Sequence, residues 1–147
     1  MVIDVGPHWL VVRLGEFDAL YTLDVDTAAL VVLSREIDAT GVTVYALDDA
    51  SGIHVRSFAP VEGVQEDPVC GSGNAAVAAH VKATGLDRTV GGTYTARQGA
   101  ALGRDGRIRV AIDGDDVFIG GHSVTVVDGK IGLSNTSIRE AGLNGRV

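Results

Sequence analysis

The sequence predicts an α+β fold, with strands before and after one central helix. Three observations carry this. Between Val42 and Ala59, two runs alternate apolar and polar residues on either side of Asp48-Asp49-Ala50-Ser51-Gly52, as the arms of a hairpin do. From Asn74 to Lys82 the chain reads NAAVAAHVK, a run of high helix propensity with alanine on nearly every side, which suits a helix enclosed by other elements. Beyond Thr93, short strand-like runs are separated by glycine-rich turns, a spacing that suits an antiparallel meander.

In chain order, Met1–Gly6 is short and runs into Pro7, and His8–Leu14 is a mostly apolar strand. Asp18–Leu23 reads as a helical turn or short helix. Asp26–Ser34 reads more firmly as helix, with Asp26 or Thr27 as N-cap and Leu30, Val31 and Leu33 as its apolar side. Gly41 closes that region. The hairpin strands Val42–Leu47 and Ile53–Ala59 follow. The central helix, about residues 74–83, stops at Gly85. Thr93–Gln98, Ile108–Ile112, Val117–Ile119 and His122–Val127 are the strands of the meander. Leu133–Val147 has mixed polarity and two glycines, which predicts a frayed or partner-dependent segment. The domain reading is one unit over residues 1–131 and a tail over residues 132–147.

The chain has 147 residues, enough for one domain with a core. It is 46% apolar and 21% charged, which predicts a soluble globular chain rather than a disordered one. A net charge of −7, with no run of Lys and Arg, argues against a nucleic-acid surface. A single Cys excludes an internal disulfide and gives no zinc-ligand set. The four histidines, His8, His54, His80 and His122, show no ligand spacing and read as structural. No stretch is apolar enough for a membrane span and no leader is visible, so the expected location is the cytoplasm.

The stretch that carries chemistry is Pro60–Lys82, and within it EDPVCGSGN. Pro68 pushes Asp67 away from helical backbone. Gly71 and Gly73 allow a sharp turn and close approach to a ligand. The helix start beyond them offers free N–H groups and the positive end of a dipole, which favours a carboxylate or phosphate. A thiol before such a start is favoured as thiolate, which makes Cys70 a candidate acid/base group; the plainer reading is a small residue packed in a turn. Asp67 is a candidate proton carrier or a turn carboxylate. Ser72 and Asn74 suit either a ligand carboxylate or an N-cap. Gln98 is a weaker candidate, since a lone strand-end Gln is usually solvated.

EDPVCGSGNAAVAAHV resembles the PhzF-like phenazine-biosynthesis family, which shares its fold with diaminopimelate epimerase and proline racemase. Four further stretches agree with that family in the same order: Asp4–Val11, Val55–Pro60, Thr95–Gly99 with Gly103-Arg104, and Val117–Val126. The resemblance implies a curved, mostly antiparallel sheet around a central helix, one lobe of a two-lobed protein about twice this length. It implies cofactor-independent and metal-free proton transfer on a small carboxylate-bearing substrate, in a cleft between lobes. Asp67 and Ser72 match the family's DPxxGS, Gly71 and Gly73 its anion-binding turn, and Cys70 the acid/base cysteine of the racemase and epimerase CG[ST]G. The family's catalytic glutamate lies in the other lobe. Glu16, Glu36 and Glu62 do not sit in such a motif. The expected protein is therefore an enzyme half completed by a homodimer or by a separately encoded N-terminal lobe. The alternatives are a non-catalytic binding module for a small anion or a partner protein, and a structural remnant.

Overall fold

The computed structural model describes residues 1–132. Its strands are β1 (Val2–Asp4), β2 (His8–Arg13), β3 (Gly41–Leu47), β4 (Ile53–Ala59), β5 (Val64–Asp67), β6 (Thr93–Gln98), β7 (Gly106–Asp113) and β8 (Asp116–Gly120). Its helices are α1 (Phe17–Thr22), α2 (Thr27–Glu36), α3 (Gly71–Ala83) and α4 (Asp87–Val90). All eight strands form one sheet in the order β1-β2-β3-β4-β6-β7-β8, with β5 also paired to β4. Pairing is antiparallel except between β2 and β3 and between β4 and β6. Those two parallel pairs are the two crossovers, each spanned by helix as parallel neighbours require. The predicted hairpin is present, with Tyr45 opposite Val55.

The sheet curls around α3, which packs on β1, β2 and β3 at one side and on β7 and β8 at the other. Ala76, Val77, Ala78 and Val81 are fully buried there. Small side chains let backbones approach on all sides, so the alanine-rich run is what the enclosure needs. Strand alternation divides the rest. Trp9, Val11, Tyr45, Ile53 and Val55 join the core around α3. Val42, Val44, Ala46 and Phe58 face the other way and pack with Leu20 under α1 and α2. Asp26 caps α2 as expected, its Oδ1 accepting the Ala29 N–H at 3.0 Å.

Several elements differ from the sequence reading, β1 and α4 among them, neither of which it placed. α3 begins at Gly71, three residues early, because Cys70 rather than Asn74 is its N-cap. β5 was not expected, since Val64-Gln65-Glu66-Asp67 is short and polar. It is anchored from below by Arg56, whose Nε and Nη2 donate to the two oxygens of Glu66 at 3.0 and 2.9 Å. Arg56 Nη1 also donates to the carbonyls of Leu20 and Leu23 at 3.0 and 3.1 Å, so one guanidinium ties α1, β4 and β5 together. The strand expected at His122–Val127 does not form. Residues 121–132 are irregular, and Val124, Val126 and Val127 are 86–89% exposed. Alternation marks a strand only where an edge is available to pair with it, and none of the described strands takes this one. The tail expected at Leu133–Val147 lies outside the described residues. Among the described residues no helix is long and apolar enough to cross a membrane.

The Arg56–Glu66 pair is buried, with both side chains 10% exposed. Removing one partner of a buried pair leaves an uncompensated charge. Glu66→Ala is expected to lower unfolding free energy by about 3–5 kcal/mol, read as a shift in the urea midpoint; a loss within experimental error of zero would show that Arg56 is satisfied by the two carbonyls alone.

Candidate functional site around the start of the central helix

The turn from β5 into α3 is built by backbone groups that need acceptors. Asp67 Oδ1 accepts the Val69 N–H at 2.8 Å across Pro68. Cys70 is extended, and its Sγ accepts the Gly73 N–H at 3.3 Å, the role usually taken by Ser or Asp at an N-cap. Gly73 is required by space. A Cβ there would lie 2.7 Å from Ser57 Oγ and 3.0 Å from Cys70 Sγ.

Behind the turn, Gln98 clasps three segments. Its Oε1 accepts the Cys70 N–H at 3.3 Å and Asn74 Nδ2 at 2.7 Å, and its Nε2 donates to the Asp67 carbonyl at 2.6 Å. Asn74 Nδ2 also donates to the Cys70 carbonyl at 2.8 Å. Asn74 and Gln98 are 1% and 3% exposed. The expectation of a solvated Gln98 is therefore corrected: it is an internal strut.

Cys70 is buried, and burial raises its thiol above the ordinary range, with the Asp67 carboxylate adding to the shift. The Gly73 N–H and the Ser72 and Ser57 hydroxyls offset only part of this. Against the thiolate reading of Cys70 stands this burial, the largest influence on the thiol, which favours the protonated form. Ser72 Oγ lies 3.8 Å from Cys70 Sγ and accepts Trp9 Nε1–H at 3.2 Å. Ser57 Oγ is 2.9 Å from Thr43 Oγ1. Trp9 and Ser57 were not foreseen as parts of the site. The one available signal was that a buried indole N–H needs an acceptor.

Beside Gly71 a concavity of about 640 Å³ runs along β7 and β8, lined among others by Val69, Gly71, Arg107, Ile108, Ile119 and His122. Cys70 sits between two lining residues with its sulfur turned toward Gly73 and Ser72. The structure thus gathers Asp67, Cys70, Gly71 and Ser72 around the start of α3, and places Gly73, Asn74 and Gln98 behind them. Gly71 and Ser72 open the helix, so their N–H groups have no acceptor within it. Among the described residues no group of three His, Cys, Asp or Glu side chains is placed to hold a metal. His80 accepts or donates at 2.9 Å to the Tyr45 hydroxyl, and burial lowers its pKa, in keeping with a structural role.

A family model described as phenazine biosynthesis-like protein matches residues 1–129. The chain is 33% identical over 135 residues to antisense-enhancing sequence 1 of Schizosaccharomyces pombe, covering 88% of this chain and 45% of that protein. It is 30% identical over 135 residues to an uncharacterized isomerase of the same yeast, covering 86% of this chain and 73% of the relative. A crystal structure of a phenazine biosynthesis protein of the PhzF family from Enterococcus faecalis superposes with a TM-score of 0.60 at 27% identity, covering 80% of this chain and 41% of that one. The chain thus spans about half the length of the antisense-enhancing relative and of the solved structure, and nearly three quarters of the other.

Three expectations follow from these contacts. Alkylation of Cys70 by iodoacetamide should titrate with a midpoint above that of free cysteine; a midpoint below it would contradict the burial argument. The linkage has a definite sign. As pH rises through the ordinary thiol range the unfolded chain loses the thiol proton before the folded chain does, so stability falls as pH rises, and Cys70→Ser removes that part of the slope. Gln98→Leu, which strands the Cys70 N–H and the Asp67 carbonyl, should cost at least about 1–3 kcal/mol in chemical denaturation.

Proposed function

Since the chain belongs to the phenazine biosynthesis-like family, we propose that residues 1–131 form one lobe of a cofactor-independent isomerase whose site is completed by a second lobe. The observation that carries this reading is the juxtaposition of the buried Cys70 thiol with the open start of α3. A substrate carboxylate is held by the Gly71 and Ser72 N–H groups and the helix dipole. Asp67, with only Oδ1 engaged among the described residues, holds a substrate amine or hydroxyl. A carboxylate of the second lobe removes the α-proton from one face of the substrate. The Cys70 S–H delivers a proton to the carbanion from the other face, and the resulting thiolate is stabilised by the Gly73 N–H and the Ser72 hydroxyl until it is reprotonated. One C–H bond breaks and one forms, with no net change in oxidation state.

The second lobe is a separately encoded N-terminal half that supplies this carboxylate, or another copy of this chain, in which case the partner's Cys70 stands in the carboxylate's place. The proposed setting is the cytoplasm, whose reducing conditions keep a lone thiol free. A non-catalytic module for a small anion is the second reading. It is favoured by one observation, that Cys70 is inward-facing and that Asp67 and Ser72 already accept from Val69 and Trp9.

The test is α-proton exchange in deuterated water, followed by NMR over a panel of small amino and hydroxy acids, on the assembled species identified by native mass. Exchange that falls by roughly 10²–10⁴-fold in Cys70→Ser supports the isomerase; unchanged exchange removes Cys70 from the mechanism. Binding without exchange selects the module, and a monomer that captures no partner rules out an assembled site.

A further inference from the structure

On the sheet face turned away from α3, β6 and β7 place three guanidinium groups side by side. Arg97 stands directly opposite Arg107, and Arg109 opposite Thr95. All four are exposed, while the intervening Ala96, Ile108 and Val110 are buried on the α3 side. Residues two apart on a strand share a face, so the three arginines form one cluster in a chain of net charge −7. No run of basic residues announces it along the sequence, because antiparallel pairing creates it.

Like charges directly opposite one another destabilise an antiparallel pair. Neighbouring acids resolve only part of the conflict. Among the described residues, Arg107 meets Asp105 at 3.0 Å, Arg109 donates to His122 Nε2 at 3.3 Å rather than to a carboxylate, and Arg97 has no carboxylate within ion-pair distance. Arg97 and Arg109 are thus left without an acidic partner among the described residues, and a local rule broken without full compensation points to a ligand.

The three arginines line a concavity of about 370 Å³ together with Thr95, Asp48, Gly52 and His122, a volume suited to a small molecule. Asp48 is the acid in this wall, and its carboxylate is already engaged. It accepts from the N–H groups of Gly52 and Ala50 at 2.7 and 3.0 Å and meets His54 Nε2 at 3.2 Å. His54 Nδ1 in turn lies 2.6 Å from the Tyr21 hydroxyl, which ties α1 to the hairpin behind this wall. Planar guanidinium forks match phosphate oxygens in pairs.

We propose that this outer face binds a small molecule bearing two or more linked phosphates, with Arg97, Arg107 and Arg109 as its anion ligands and the Thr95 hydroxyl as a neutral donor. The site is independent of the isomerase reading. Its concavity adjoins the one beside the start of α3, since Arg107 and His122 border both, whereas Arg97 and Arg109 border only this one.

The test is isothermal titration of the full chain with sodium pyrophosphate at low ionic strength, with orthophosphate as the second probe. Saturable binding is expected, tighter for pyrophosphate, weakened by added salt, and at least roughly tenfold weaker in Arg97→Gln and in Arg109→Gln. Because substitution relieves like-charge repulsion, both ligand-free variants should melt at or above the temperature of the unsubstituted chain. No saturable heat at millimolar pyrophosphate, or equal binding by the Arg97→Gln/Arg109→Gln double variant, would overturn the proposal. So would a lowered melting temperature in both single variants, which would assign the arginines to the fold.

Discussion

Enclosing α3 within the curl of the sheet is the constraint from which the rest of the molecule follows. A helix buried on nearly all sides needs small residues, and Ala76, Ala78 and their neighbours supply them. It also takes its own polar start out of water, where unpaired backbone groups are costly. Gln98 and Asn74 meet that cost from within the protein by bonding the Cys70 N–H, the Cys70 carbonyl and the Asp67 carbonyl. The geometry of the turn is thereby fixed from behind, and only Gly71 and Ser72 are left with open N–H groups at the front.

The same enclosure decides the state of the thiol. Two effects compete at Cys70. A helix dipole contributes about 0.3–1 kcal/mol to a neighbouring anion, whereas full burial can move a pKa by about 3–5 units. Desolvation is the larger effect here, and Asp67 reinforces it. Cys70 is therefore suited to giving a proton rather than taking one. In the proposed mechanism the complementary base comes from the second lobe.

Much of the fold was legible because the deciding interactions are local or periodic. Alternation gave the hairpin and the β6–β8 meander, alanine content gave α3, and Asp26 gave the start of α2. What was missed depends on distant partners. β5 exists because Arg56, ten residues before Glu66, holds it down. His122–Val127 alternates as a strand does but meets no described edge. Within the site, the EDPVCGSGN turn was readable from its glycines and Pro68. The role of Gln98 was not, because a strand-end Gln looks the same in sequence whether it is solvated or clasps a buried helix start. Trp9 needed the parity of β2 to be known before its N–H could be aimed at Ser72. The arginine cluster needed the register of β6 against β7.

The surroundings of the α3 start link the proposed assembly to the proposed chemistry. Val69 and Ile119 line the concavity there and remain 51% and 36% exposed, and the valines just past β8 are more exposed still. An apolar rim around a polar helix start is a poor surface to leave in water, and contiguous patches of this kind mark sites that another surface covers. In the proposed two-lobed enzyme, covering the rim would also exclude water from the concavity. Every interaction of a substrate carboxylate with the Gly71 and Ser72 N–H groups would then strengthen as the local dielectric falls. The Cys70 thiol, already held protonated by burial, would be further discouraged from ionising until a carbanion forms beside it to take its proton. In this arrangement the step that completes the fold is also the step that arms the site.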